Sequence, residues 1–340
     1  MVRPHRRLQS GVNATKILPE RRPVTSPYDI EEIFPDDAAG SVRLPRRQAG
    51  TSSQELTVTL LADYTLRTRA WVPSAAVVAL LSESGVSSTA ARAAVSRLAR
   101  RGVLENRRHG RQSSYRLTAA AATFLAVGGS AIVSPVDGDP PWDEHWTLVA
   151  FSLPQARGAQ RRGLRAQLRW MGFAPLYDGL WVSPRDLTDK VRAQLAPFAP
   201  GAMTVFRARH VDLPAADGRS PIDAWDTAAI AAEYEAFVRR WSPTLLRMEA
   251  GEVAGAEAVR VRTDVMDTYR RLPILDPQLP GPLLPPDWPR GPARKLFVAI
   301  YDGLARTAEG HVRAVAARFA VAPLPDIRAH TVAELAAGLP

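Results

Sequence analysis

The sequence predicts an α+β fold divided among several domains. Three observations carry that prediction. Residues 54–118 run through three short helical patterns and then a polar hairpin. Residues 146–211 alternate strands and helices in the order β, α, β, (β), α, β. The last third keeps only helical periodicity. The first order is that of a winged helix-turn-helix, and the second that of a ferredoxin-like domain. At 340 residues the chain is long enough for such a multidomain arrangement. The expected divisions are a disordered N-terminal tail over residues 1–50, a winged helix-turn-helix over 51–136, a ferredoxin-like middle domain over 137–215 and a helical C-terminal domain over 216–340.

A hydrophobic fraction of 46% supplies the material for buried cores. The formal net charge is +10, and arginine carries nearly all of the positive part, since Lys16, Lys190 and Lys295 are the only lysines. A balance of this sign favours a polyanionic partner. The absence of cysteine excludes disulfides, iron–sulfur clusters and thiolate zinc sites, and fits a reducing compartment. The basic start "MVRPHRRLQS" is followed by no apolar run, so no secretory signal is expected. The most apolar stretch, residues 117–136, is mostly Ala, Gly and Ser, too weak for a membrane span of about 20 strongly apolar residues. It predicts a short helix ending at Gly128-Gly129, no membrane partner and a cytoplasmic location.

Residues 1–50 mix Pro, Arg and acids without period, which is the basis for the disordered tail. "QELTVTLLADY" then predicts a helix ending near Tyr64. "PSAAVVALLSESG" predicts a second, with Pro73 in its first turn, a stripe of Val77, Leu80 and Leu81, and Gly85 at its end. "SSTAARAAVSRLARRG" starts on an N-cap serine and closes at Gly102. "VLENRR" and "SSYRLT" flank the hairpin "RRHGRQ". In the middle domain, "WTLVAFSLP" is an apolar strand, and a helix follows with Leu164, Leu168 and Met171 inward. "FAPLYDGLWVSP" is a strand or a hairpin turning at Asp178-Gly179, Asp186 caps a further helix, and "AMTVFRARHV" is the last strand. Beyond it, Ile230, Tyr234, Phe237 and Trp241 mark a helix, "AEAVRVRTDVMDTYRRLPIL" a second, and "ARKLFVAIYDGLARTAEGHVRAVAARF" a helical end after a Pro-rich bridge.

Between Ser87 and Thr118 there are eight arginines and one acid, Glu105. A solvated helix face normally mixes both signs. At roughly 100° per residue, Ala91, Ala94 and Leu98 cluster beside Val95 and face a core. Thr89, Arg92, Ser96 and Arg100 fall opposite, with Ala93 and Arg97 beside them. Small residues admit a helix to the major groove, arginine bridges O6 and N7 of guanine, and hydroxyls reach phosphates or base edges. The candidate DNA-contacting residues are therefore Ser88, Thr89, Arg92, Ala93, Ser96, Arg97 and Arg100 on the helix. Arg107, Arg108, His109 and Arg111 join them on the hairpin, placed to follow the phosphate backbone or the adjacent minor groove. Genome-wide arginine enrichment is the simpler alternative, and the helix-turn-helix order with its single acid argues against it.

The stretches "WVPSAAVVALLSESGVSSTAARAAVSRLARRGVL", "RRHGRQSSYRLT", "WTLVAFSLP", "LRWMGFAPLYDGLWVSP" and "LPILDPQLPGPLLPPDWP" resemble the PaaX family of transcriptional regulators, in the same order over roughly residues 54–310. These repressors govern phenylacetate degradation and related aromatic catabolism. The resemblance implies a homodimer on a palindromic double-stranded DNA operator, released by an acyl-CoA effector such as phenylacetyl-CoA. Candidate effector contacts are Asp178, Trp181, Tyr269, Arg270 and Arg271, the aromatics to stack on an acyl ring and the arginines to pair with phosphates. The tail over residues 1–50 departs from the family.

The middle domain is also similar to the small ferredoxin-like subunit of CRISPR adaptation complexes, some of which are metal nucleases with an acid at the end of the first strand. Here that strand ends in "AFSLP", with Ser152 and no carboxylate, and hard cations want carboxylate oxygens. No Walker loop, dinucleotide fingerprint or nucleophile elbow is present, and the histidines (His5, His109, His145, His210, His311, His330) lie far apart. No enzyme activity, cofactor or metal is expected. The competing readings are a nucleic-acid-processing enzyme that uses the ferredoxin-like domain, and a constitutive DNA-binding protein.

Overall fold

A computed structural model of the chain describes residues 52–133, 142–153, 158–195, 202–212, 219–276, 278–320 and 326–338. The tail expected over 1–50 and residues 137–141 at the start of the expected middle domain lie outside the described residues.

Helix α1 (Ser53–Thr65) opens on a reciprocal cap: Glu55 N donates to Ser52 Oγ at 3.2 Å, and Ser52 N donates to Glu55 Oε2 at 3.0 Å. A two-residue strand β1 (Val72–Pro73) leads into α2 (Ser74–Glu83) and α3 (Ser88–Arg100). Both helices end on a left-handed glycine, Gly85 at φ +83° and Gly102 at φ +73°. In each, the next residue's N–H closes back on the last turn, Val86 to Leu81 O at 3.1 Å and Val103 to Leu98 O at 3.0 Å. Strands β2 (Leu104–His109) and β3 (Gln112–Leu117) form the hairpin, and β1 adds to β3 with Val72 opposite Tyr115. Pro73 sits on this edge as the N-cap of α2, at φ −56° and ψ 136°, rather than in the helix's first turn. An edge position tolerates its missing N–H.

Helix α4 (Ala119–Val133) does not stop at Gly128-Gly129. It packs on α12 (Val332–Ala336), and a Cβ on Gly129 would lie 3.1 Å from Leu335 Cδ2. The glycine there lets two helices approach, and does not turn the chain.

The middle region follows as β4 (His145–Ser152), α5 (Gly158–Trp170), β5 (Ala174–Tyr177), β6 (Leu180–Ser183), α6 (Thr188–Leu195) and β7 (Ala202–Arg209). The strands form one antiparallel sheet in the order β5-β6-β4-β7. Val149, Phe151 and Trp181 on one face pack with Leu164, Leu168, Val191 and Leu195 of α5 and α6. Trp146, Leu176 and Val182 on the other face meet Trp225, whose ring stacks on Trp146 at 6.2 Å. The expected hairpin turns at Asp178-Gly179, and its glycine answers to crowding, since a Cβ would lie 2.7 Å from Phe151 O.

The remainder is helical: α7 (Thr227–Glu249), α8 (Gly255–Tyr269), α9 (Leu272–Leu275), α10 (Arg290–Gly303), α11 (Ala305–Ala317) and α12. Ile230, Tyr234, Phe237 and Trp241 are the buried residues of α7, as its period predicts. One apolar core runs from Val58 to Leu335 and unites α1–α4 with these helices. Among the described residues no helix is long and apolar enough to cross a membrane.

Two buried polar clusters tie this core. In the first, the guanidinium of Arg262 lies 3.6 Å from the centre of the Tyr301 ring and donates to the carbonyls of Tyr301 and His330. The Tyr301 hydroxyl donates to Asp63 Oδ1 at 2.6 Å and lies 2.9 Å from His330 Nε2. Asp63 belongs to α1, so the cluster bonds the N-terminal helices to the C-terminal ones. In the second, Asp276 receives Arg290 Nε at 2.6 Å, Arg290 Nη2 at 2.8 Å, Gln278 N at 2.9 Å and Tyr234 Oη at 3.1 Å. Arg290 also donates to Leu279 O at 3.2 Å. Gln278, Leu279 and Arg290 thus form a staple around the fully buried Asp276 carboxylate.

Replacing Asp276 with Ala would leave the Arg290 charge buried without its partner, at a cost of about 3–5 kcal/mol; urea denaturation should show this loss. Burial pushes the Asp63 carboxyl up to about 6 and the His330 imidazole down to about 3. Native Asp63 takes up its proton before the unfolded chain does, so acidification from about pH 6 toward the ordinary aspartate value stabilises the fold through this group. Native His330 resists a proton that the unfolded chain accepts, so the same acidification destabilises through it. The two oppose each other. Asp63→Asn removes the stabilising half, so its melting temperature should fall more steeply than the parent's between about pH 6 and pH 4, as scanning calorimetry would record.

Candidate nucleic-acid interface

Helix α3 is positioned by its apolar side. Ala91, Ala94, Val95 and Leu98 are buried against α1 and α2, and Ser87 caps the start, its Oγ accepting from Ala90 N at 3.2 Å. That packing turns the other side outward. Ser88, Thr89, Arg92, Ser96, Arg97 and Arg100 are exposed, and Ala93 is half-buried beside them. Among the described residues no acid pairs with Arg92, Arg97 or Arg100. The helix therefore presents guanidinium groups, hydroxyls and a small residue on one face.

The hairpin joins through a two-residue turn, Gly110-Arg111, with Gly110 at φ +56° and His109 opposite Gln112. Leu104 and Leu117 face each other and are buried, so this side of the hairpin faces the core. Strand alternation puts Asn106 and Arg108 on the same side as Leu104, and Glu105, Arg107 and His109 on the other. The cross-strand bond from Asn106 Nδ2 to Tyr115 Oη, 3.3 Å, agrees with that assignment. The four hairpin residues expected to act together are thus divided: Arg107 and His109 on one face, Arg108 on the other, Arg111 at the tip. All four are exposed.

Glu105, the one acid of the segment, is neutralised locally. It accepts from Arg116 Nε at 2.8 Å and from Arg69. The Arg116 hydrogen bond, with the charges of Arg116 and Arg69, holds its carboxyl below the usual glutamate range. Beside this pair, Arg107 and Arg116 both lie over the Trp71 ring, at 4.7 Å and 4.4 Å. Sequence reasoning missed Arg69, Trp71 and Arg116. Trp71 precedes β1 and makes no periodic pattern, so only the β1–β3 pairing reveals its place.

The expected effector contacts fall in two places. Trp181 is buried in the core of the middle sheet, with Arg169 over its ring at 5.4 Å. Asp178 is exposed on the neighbouring turn and accepts from Arg165 Nη2 at 2.5 Å. Tyr269 is buried in the larger core, stacked on Phe297 at 4.0 Å. Arg270 and Arg271, just past α8, both pair with Asp267, Arg271 at 3.0 Å. Ser152 ends β4 with an exposed side chain. Among the described residues, no group of three or more His, Asp or Glu side chains is placed to hold a metal ion.

Three family models match in chain order: one described as a PaaX-like protein over residues 52–121, one as the PaaX protein central Cas2-like domain over 139–218, and one as the PaaX-like protein C-terminal domain over 225–314. The transcriptional repressor PaaX of Escherichia coli (strain K12) is 30% identical over 246 residues, covering 70% of this chain and 75% of that protein. Among solved structures, an uncharacterized protein from Mycobacterium tuberculosis aligns with a TM-score of 0.54 at 19% identity, over 77% of this chain and 99% of that one. That likeness speaks to fold alone. With an arginine-rich helix turned outward from an N-terminal helical unit, and with matches along the greater part of its length, the chain belongs to the PaaX family of transcriptional regulators.

Proposed function

We propose that the protein is a ligand-responsive, DNA-binding transcriptional repressor of an aromatic, phenylacetate-like catabolic operon. In this reading α1–α3 with the β2–β3 hairpin act as a winged helix-turn-helix, α3 enters the major groove, and the hairpin is the wing. The β4–β7 sheet with α5 and α6 acts as a ferredoxin-like middle domain. The observation that carries the proposal is the outward face of α3, where Arg92, Ser96 and Arg100 stand together with no acid among the described residues opposing them. The E. coli relative's description as a transcriptional repressor supports the direction of control.

Helix-turn-helix dimers reach two half-sites about 34–36 Å apart, so a palindromic operator and a homodimer go with this reading. Release by an acyl-CoA requires that the effector bind one dimer geometry more tightly than the other. Asp178, Arg270 and Arg271 are its proposed contacts; the partly exposed pair Arg270 and Arg271 suits its phosphates. The site favours neither a nuclease nor an unregulated binder over this reading.

A gel-shift titration with the DNA upstream of the chain's own reading frame tests the proposal. Arg92→Ala should weaken specific binding by about 1–3 kcal/mol, the worth of one bidentate base contact, while its circular dichroism and melting temperature match the parent's. Unchanged specific binding would remove α3 from the interface. Thermal-shift screening of CoA thioesters tests the effector, because a ligand bound only by the native state raises the melting temperature.

A further inference from the structure

The hairpin's outer face carries a set of contacts that the DNA-binding reading does not use. Arg69 follows α1 at φ +49°, a conformation unfavourable for a residue with a side chain. Its Nε donates to Leu117 O at 3.0 Å, and its Nη2 to Glu105. Glu105 stands directly opposite Arg116 on the neighbouring strand and accepts from it. Arg116 and Arg107 share the Trp71 ring. These five side chains therefore link the end of α1, the start of β1 and both strands of the hairpin. A two-stranded ribbon has little rigidity of its own, and the tip beyond Arg107 is reached by none of the core's apolar contacts.

We propose that Arg69, Trp71, Glu105, Arg107 and Arg116 form a brace that sets the angle of the wing on DNA. Trp71, Glu105 and Arg107 are positioning residues, and the wing's phosphate contacts fall to Arg108 and Arg111. The proposal rests on the DNA-binding reading and assigns a role within it. It reverses what charge alone demands of Glu105. An acid beside a DNA-facing surface repels phosphate, so its removal should tighten binding if electrostatics were its only part. As the member of the brace that holds both Arg69 and Arg116, its removal instead slackens the wing and loosens binding.

The test is the operator affinity of the full-length chain, measured over a range of salt concentrations. Glu105→Ala should bind about tenfold more weakly than the parent, with a shallower dependence of log K on log salt, because phosphate contacts at the wing are lost. Trp71→Ala should do the same, and Trp71→Tyr, which keeps a ring for the guanidinium groups, should restore most of the affinity. Adding Arg108→Ala to Glu105→Ala should cost less than Arg108→Ala costs alone, since a slack wing no longer delivers that contact. Equal or tighter binding by Glu105→Ala, with an unchanged melting temperature, would overturn the brace. Arg92→Ala separates the two levels. If it loses specific binding while Glu105→Ala does not, the brace alone fails; if neither loses it, the interface fails with it.

Discussion

The union of the chain's N-terminal and C-terminal helices depends on a guanidinium taken out of water. Arg262 is fully buried between α1 and the C-terminal helices, over the Tyr301 ring, with two backbone carbonyls as acceptors. Burying such a charge costs several kcal/mol unless its surroundings answer it. Here the answer comes from both ends of the chain: Asp63 of α1 through the Tyr301 hydroxyl, and the His330 carbonyl near the C-terminus. The arrangement forms only when those ends are together. It makes α1–α3 part of the larger core, and not a separate head on a tether.

Outer contacts repeat the same joint. Glu83 of α2 meets His311 of α11 at 2.8 Å, Arg67 meets Glu334 of α12 at 3.2 Å, and Arg328 N donates to Tyr64 O at 2.9 Å. Helix α3 packs on α1 and α2, which contacts 228 and 267 positions long tie to α11 and α12, so its attitude is fixed from the far end of the chain. A change in how the C-terminal helices sit would reach α3 through packed side chains, and cores of this density shift between discrete arrangements more readily than they bend. The middle sheet stands apart from that core, with its own apolar centre around Trp181, and touches the helical part through Trp146 on Trp225 and Arg185 on Gln278 Oε1 at 2.7 Å.

Much of the candidate interface was legible from local pattern, because an amphipathic helix declares its own faces. Placing Val95 inward was enough to turn Arg92, Ser96 and Arg100 outward, and the folded chain agrees residue by residue. Period likewise named the buried side of α7. Glycines were harder to read, since the same residue serves two purposes. Gly85 and Gly102 end helices by adopting positive φ; Gly129 and Gly179 make room for Leu335 and for Phe151 O. The second use depends on a neighbour that the local sequence does not contain.

What the residue order settles is therefore what depends on near neighbours: helix ends, inward and outward faces, strand alternation, and the excess of positive charge between Ser87 and Thr118. What needed the folded chain is every feature made by residues far apart in sequence. The staple at Asp276 appeared beforehand only as a Pro-rich motif, and Tyr269 and Trp181 only as aromatics free to stack on a ligand. Burial removed that freedom. Glu105 appeared as a lone acid in a basic field, and it took the closing of the hairpin on Arg116 and the approach of Arg69, 36 positions earlier, to give it partners. Short-range periodicity is a property of the backbone's own geometry, whereas the pairing of charges across a core exists only after the chain has closed on itself.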